Sequence, residues 1–147
     1  MRNRILLFAA VCGGLVAVGE AGGQEVARAP EPAAHVAQER LEWVEIIPGA
    51  DFAAVYGQWT EGPHAKFARF APGMAVPLHR HTNEYHGVVV QGEFTNPFPG
   101  QQAVVMRPGD YWRVPAGMAH SNECVSDDPC LIFTYGDAPW DVEMVED

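Results

Sequence analysis

Basic residues are scarce in this sequence of 147 residues. Lysine and arginine together number 9, against 19 aspartate and glutamate residues, which gives a formal net charge of −10. A surface this acidic repels phosphate backbones and anionic lipid headgroups. We therefore expect no nucleic-acid partner and no membrane binding through a basic patch.

Cysteine is also scarce. The chain has 3 cysteines, too few for a scaffold that disulfides alone hold together. Hydrophobic residues make up 48% and charged residues 19% of the sequence, so the chain can bury a core. Its length leaves room for one domain.

Long hydrophobic runs are absent after the N-terminal region. There, the uncharged residues 5–19 follow a basic start with Arg2 and Arg4 and precede small residues. This three-part layout is typical of a secretory signal peptide. A membrane anchor is the alternative, but the run is shorter than the roughly 20 residues that a spanning helix needs. We predict a signal peptide over residues 1–22, a periplasmic or secreted protein, and no stable membrane span after signal removal.

The rest of the chain divides into a leader and one folded domain. Residues 23–40 are rich in Ala, Pro, Glu and Gly, which predicts a flexible leader. From residue 41 to residue 147, short apolar runs alternate with Gly, Pro and Asn, and no sustained helical periodicity occurs. This pattern predicts an all-β domain, either an antiparallel sandwich or a small barrel.

Export changes what the cysteines can do. Cys12 would leave with the signal peptide, and Cys124 and Cys130 would remain as a pair in an oxidising compartment. The residues between them are turn formers, which lets two strand ends approach each other. We predict a Cys124–Cys130 disulfide, with two buried free thiols as the alternative.

Four of the six histidines fall in two short windows. His79 and His81 alternate along a predicted strand and therefore share a face. After a short break, Glu84 and His86 share a face of the next strand, and His120 follows a Pro/Gly turn in the second window. Neutral imidazole is the commonest metal ligand in proteins. The histidines thus predict a site for one divalent transition metal ion, with Zn, Fe, Mn, Ni and Cu all open.

The two windows resemble the paired motifs of the cupin superfamily. The first motif matches at Gly73, His79, His81 and Gly92, and the second matches at Gly109, Pro115, Gly117 and His120. The residues around the two motifs are similar to those of small cupins of the DUF4437 type, which are akin to the metal-binding cupin half of ChrR-type anti-sigma factors. The resemblance implies a single antiparallel cupin β-barrel with a metal at its wide mouth, and it implies a homodimer.

The acidic position of the first motif departs from the usual pattern and leaves the ligand set open. Counting on from His81, His86 occupies the position of the usual acidic ligand. Counting back from Gly92, that position is Tyr85, and Glu84 is the nearest carboxylate. We favour the four histidines His79, His81, His86 and His120, because the neighbours of His86 on its face, Val88 and Val90, look like barrel lining. Glu84 is the alternative ligand or an outer acceptor for an imidazole N–H. A metal-free barrel, as in storage-type cupins, is the further alternative.

The predicted function is an exported, mononuclear metal-binding cupin. A bound ion would polarise an oxygen atom of a small oxygenated metabolite, in an isomerase, lyase or dioxygenase type of reaction. Arg69 and Arg113 lie within strand patterns, where they would clamp a substrate carboxylate or else sit exposed. The alternative function is a non-catalytic metal-binding or ligand-binding sensor.

Overall fold

Eleven short β-strands make up most of the regular structure in residues 35–146, the part of the chain that the computed structural model describes. One single-turn 3₁₀ helix, Gln38–Arg40, precedes them. Within the described residues, no helix has the length and apolar character needed to cross a membrane. The strands are β1 (Val44–Ile47), β2 (Ala50–Tyr56), β3 (His64–Phe70), β4 (Ala75–Arg80), β5 (Tyr85–Gln91), β6 (Phe94–Thr95), β7 (Val105–Met106), β8 (Tyr111–Val114), β9 (His120–Cys124), β10 (Cys130–Gly136) and β11 (Glu143–Met144).

These strands form two antiparallel sheets. The first sheet has the order β1-β2-β3-β10-β5-β8, and the second has the order β11-β4-β9-β6-β7. The all-β, antiparallel class is therefore as predicted. Within the described residues no hydrogen-bonded ladder joins one sheet to the other, so the two sheets are not closed into a barrel.

The core lies where apolar side chains of both sheets meet. Phe70 on β3 packs against Phe94 on β6, with ring centroids 5.4 Å apart, and this contact joins the two sheets. Alternation of side chains along each strand supplies the other members of the core. The larger ones are Phe52, Val89, Trp112, Val114 and Ile132.

A disulfide reinforces the contact between the sheets. Cys124 ends β9 in the second sheet and Cys130 begins β10 in the first, and their sulfur atoms are bonded at 2.09 Å. Both cysteines are fully buried. Gly92 packs against the bridge with a φ of +84°, where an added Cβ would lie 2.9 Å from the Cys130 sulfur. The structure thus contains the predicted bridge, and it leaves no room for a side chain at residue 92.

The predicted signal peptide, residues 1–22, lies outside the described residues, as does most of the predicted leader. Residues 35–40, the last part of that leader, are all exposed. The first strand begins at Val44.

Candidate metal centre

Three of the predicted ligands converge at one end of the second sheet. His79 on β4 is paired with His120 on β9 across the sheet, and their ring centroids lie 4.3 Å apart. His81 follows His79 by two residues, so it points to the same side, whereas Arg80 between them is exposed. The exposed fractions of His79, His81 and His120 are 3%, 2% and 0%. One nitrogen atom from each ring lies within 4.8 Å of the others.

Backbone carbonyls orient all three rings in the same way. The Nδ1 atom of His79 contacts the Pro77 carbonyl at 2.8 Å, and that of His120 contacts the Met118 carbonyl at 3.0 Å. His81 Nδ1 contacts the Asp141 carbonyl. A carbonyl only accepts hydrogen bonds, so each Nδ1 carries the proton and donates it. Each Nε2 atom therefore carries no proton and has the lone pair that metal ligation requires.

Burial keeps these imidazoles uncharged. Loss of hydration lowers the pKa of His81 to about 4 and that of His120 to about 4, and it also lowers the pKa of His79. At neutral pH all three rings are therefore neutral. Three neutral imidazoles with converging lone pairs fit a divalent transition metal ion such as Zn²⁺.

A segment near the C-terminus holds His81 in place. Besides the carbonyl that accepts from His81, Asp141 presents a carboxylate that accepts from the Thr82 backbone N–H at 2.8 Å and from its hydroxyl at 2.6 Å. These hydrogen bonds lower the pKa of Asp141. The ring of Trp140 packs against His81 with centroids 5.0 Å apart. His81 is thus oriented by a part of the chain distant in sequence.

Tyr85 also belongs to the cluster, although no role was expected for it from the sequence. It is the first residue of β5 and is buried, and its hydroxyl lies 3.1 Å from His120 Nε2. Because that Nε2 has no proton, the hydroxyl donates to it. Burial raises the pKa of Tyr85, so the phenol keeps its proton. The available signal was the count back from Gly92, which puts Tyr85 at the motif's acidic position.

His86 and Glu84 lie away from the three histidines. Along β5, Tyr85, Gly87 and Val89 point inward, so His86 points to the other side of the sheet. The face of β5 that carries His86 does not line the interior as expected, because Val90 is 43% exposed whereas Val89 is 1% exposed. The physical reason is the turn before β5, which sets the phase of the strand one residue away from the expected one.

Both residues instead belong to a network on the outer surface. His86 Nδ1 lies 2.6 Å from the Tyr111 hydroxyl, and its Nε2 lies 3.3 Å from a Glu84 carboxylate oxygen. Glu84 also accepts a hydrogen bond from Arg113, which lowers the pKa of Glu84. Arg69 likewise pairs on the surface with Asp51 at 2.6 Å. Neither arginine is positioned as a clamp inside the molecule.

A cavity of about 190 Å³ lies beside the histidines. His79, His81 and Tyr85 form one part of its wall. Lys66 on β3 and Thr134 on β10, neither of which was expected from the sequence, form another polar part. The remaining wall is mostly apolar and includes Phe52, Phe70, Val76, Ile132 and Trp140. A small molecule with an apolar body and a few oxygen atoms fits such a site.

Comparison with known families identifies one match over most of the chain. The family model of the ChrR cupin-like domain matches residues 31–138. The narrower DUF4437 grouping stays a prediction. A curated relative, the cupin-domain-containing oxidoreductase fogC of Aspergillus ruber, is 40% identical over 50 residues, which are 34% of this chain and 25% of that protein. The chain therefore spans only a quarter of the fungal protein.

Solved structures share the fold at low sequence identity. The polyketide cyclase RemF from Streptomyces resistomycificus matches with a TM-score of 0.67 and 16% identity, covering 78% of this chain and 87% of that chain. An RmlC-like cupin from Shewanella frigidimarina matches with a TM-score of 0.60 and 24% identity, covering 73% and 93%. At these identities the likeness shows the fold alone.

Proposed function

The chain belongs to the ChrR cupin-like domain family. From this membership and the geometry of the three histidines, we propose that it is a mononuclear, metal-dependent cupin that acts on a small oxygen-bearing molecule. The observation that carries the proposal is the convergence of three buried, neutral imidazoles, two of which, those of His79 and His81, line a cavity. A purely structural zinc site is usually closed by four protein ligands. Here three imidazoles converge, and a cavity adjoins them.

The residues of the site have separable roles. His79, His81 and His120 would hold the ion through their Nε2 atoms. When bound, the ion supplies Lewis acidity toward an oxygen atom of a substrate or of water. The Tyr85 hydroxyl keeps its proton, and once an ion takes the His120 Nε2 lone pair, that hydroxyl would be free to donate to a substrate oxygen. The apolar walls exclude water, which strengthens these polar interactions.

The reaction class follows from chemistry that a ligated ion can promote. We propose an isomerase, lyase or dioxygenase type of reaction, and the fold itself does not choose among them. Similar proteins carry names as different as oxidoreductase and polyketide cyclase. The identity of the metal narrows the choice, because a redox-inert Zn²⁺ ion would exclude oxygenation, whereas iron would favour it.

Metal analysis of full-length protein and its variants tests the proposal. We expect one transition metal ion per chain in the wild type and severe loss of metal in His79→Ala, His81→Ala and His120→Ala. His86→Ala is the matched control, because its ring lies on the other side of β5, and it should retain the wild-type content. Full occupancy in His120→Ala, or loss in His86→Ala, would overturn the assignment. A protein that binds metal and ligand without turning any ligand over would support the sensor alternative.

We also propose that the protein is exported to the periplasm or secreted. The buried Cys124–Cys130 bridge supports this, because disulfides persist mainly in oxidising compartments. N-terminal sequencing of the protein from its own cells tests the proposal. A mature chain that begins near residue 22 is expected, and an intact Met1 would contradict it.

A homodimer is proposed as well. Support comes from apolar side chains that are exposed on the edge strands β1 and β11 and the segment before β11, namely Val44, Ile46, Ile47, Val142 and Met144. Edge strands with exposed apolar residues are prone to associate. Light scattering after size-exclusion chromatography should give twice the mass of the chain, and a monomer mass would contradict the proposal.

A further inference from the structure

Lys66 is a buried cation in the wall of the cavity. It is the only lysine in the sequence, and its exposed fraction is 1%. Lysine is almost never fully buried unless it is paired. The side chain lies on the inner side of β3, together with Ala68 and Phe70, and it lines the same cavity as His79 and His81.

The surroundings of Lys66 leave its charge without a counterion. Among residues 35–146, no carboxylate forms an ion pair with it. Its Nζ atom lies 3.4 Å from His64 Nε2, which accepts because His64 Nδ1 donates to the Gly62 carbonyl at 3.0 Å. The other neighbours are aromatic faces, with Nζ 4.2 Å from the ring centroid of Trp140 and 5.4 Å from that of Phe52. An ammonium has three donors, and within the described part of the chain only one of them finds a nitrogen or oxygen partner.

A second polar group beside Lys66 is also unsatisfied. Thr134 on β10 is paired with Lys66 across the sheet, so the two side chains stand on the same face. The Thr134 hydroxyl oxygen is buried and has no hydrogen-bond partner among the described residues. Buried polar groups normally have partners, and an exception calls for an explanation such as a missing ligand. Both groups line the same cavity.

We propose that Lys66 and Thr134 form a carboxylate subsite, so that the substrates of this cavity are small monocarboxylic acids with an apolar body. This inference rests on the proposed function, since the other end of such a molecule would be presented to the three-histidine centre. One ammonium balances the single charge of a carboxylate, and the hydroxyl donates to its second oxygen. A phosphate would bring a charge of nearly −2 that one lysine does not balance.

The electrostatics of the free protein agree with this assignment. Burial lowers the pKa of Lys66 to about 7, because the ammonium loses its hydration and gains no anion in return. An anion beside the side chain favours the charged form and restores the pKa toward its ordinary value. Binding of a carboxylate would therefore draw a proton onto Lys66.

The single lysine makes a direct experiment possible. Full-length protein with ¹³C-labelled lysine has one lysine side-chain signal in NMR, and zinc loading keeps it diamagnetic. We expect 3-methylbutanoate to shift this signal saturably, and the uncharged isostere 3-methylbutanamide to leave it in place. Inorganic phosphate serves as the second probe, and a stronger response to phosphate than to the carboxylate would contradict the proposal.

Variants separate the subsite from the metal centre. We expect Lys66→Met to weaken calorimetric binding of 3-methylbutanoate roughly tenfold or more, as loss of a charge-assisted hydrogen bond predicts. Thr134→Val, which keeps the shape, should weaken it less. Arg69→Gln is the matched control, because Arg69 lies on the same strand but is exposed. Wild-type affinity in Lys66→Met, or no detectable binding to the wild type, would overturn the subsite.

The same measurements in His120→Ala distinguish a failure of the metal centre. If that variant loses metal but its Lys66 signal still responds to 3-methylbutanoate, the carboxylate binds at Lys66. If the response disappears with the metal while Lys66→Met binds normally, the metal centre stands and the subsite is refuted. Wild-type protein that binds no metal but keeps the Lys66 response would refute the proposed function and leave the subsite standing.

Discussion

Lys66 couples the stability of the protein to pH. Its pKa is about 7 in the folded protein and has the ordinary value of 10.5 when the chain is unfolded. Between these values the unfolded chain binds more protons than the folded one, so the free energy of unfolding rises as pH increases through this window. Below about pH 7 both states are protonated, and the folded state carries the full cost of the buried charge.

The prediction is a stability gain on the order of a few kcal/mol between pH 7 and pH 10.5 that Lys66→Met abolishes. Of the other titratable groups lining the cavity, His79 and His81 titrate below this window and Tyr85 titrates above it. Urea denaturation at several pH values measures the effect, with Arg69→Gln as the control that should follow the wild type. Parallel curves for the wild type and Lys66→Met would contradict the prediction.

Sequence periodicity located part of the site at the residue scale. His79 and His81 could be placed on one face because a strand alternates with period two, and that local rule holds within β4. The phase of β5 could not be predicted, since it depends on the path of the turn from His81 to Tyr85. A one-residue difference there exchanges Tyr85 for His86 in the interior.

The burial of Lys66 could not be predicted from the sequence, for a different reason. In the run from Lys66 to Phe70, one face carries Lys66, Ala68 and Phe70, and the other carries Phe67 and Arg69. Each face contains one basic and one aromatic residue, so polarity does not decide which face is buried. In the structure the face with Phe67 is the outer one. Phe67 packs there against Phe133, with ring centroids 5.4 Å apart.

Among the elements, the connection between β9 and β10 carries a second prediction. The Cys124–Cys130 bridge joins these strands across the two sheets but closes a short loop, with a sequence separation of 6. Its removal by Cys124→Ala and Cys130→Ala should lower the free energy of unfolding by at most roughly 2–3 kcal/mol. Denaturant unfolding of the oxidised wild type and the double variant gives this difference.

Metal content supplies the control for the double variant. The ladder between β4 and β9 pairs His79 with His120 independently of the bridge, so the variant should bind as much metal as the wild type. Equal stability of the two proteins would show that the bridge does not constrain the chain. Loss of metal together with stability would show that the bridge positions His120.

Most strands could be predicted from the sequence, but their order in the sheets could not. Short apolar runs ending at Gly and Pro indicated the strands because turn residues and alternation are local properties. The position of β10 between β3 and β5 depends on contacts between residues far apart in the chain. The same holds for the Asp141 carbonyl that orients His81, since no local pattern connects residues 60 positions apart.

For the whole molecule, the three-histidine centre predicts that metal and folding are linked. His79 lies on β4, His81 directly follows that strand, and His120 lies on β9. An unfolded chain therefore does not bring the three side chains together. A ligand that binds only the folded state stabilises it by about 2.7 kcal/mol when its free concentration is 100 times the Kd. Chelation should therefore lower the Tm of the wild type, and Zn²⁺ should restore it.

His120→Ala should melt at the same temperature with and without chelator, whereas His86→Ala should respond like the wild type. A chelator effect that persists undiminished in His120→Ala would place the stabilising ion elsewhere in the chain.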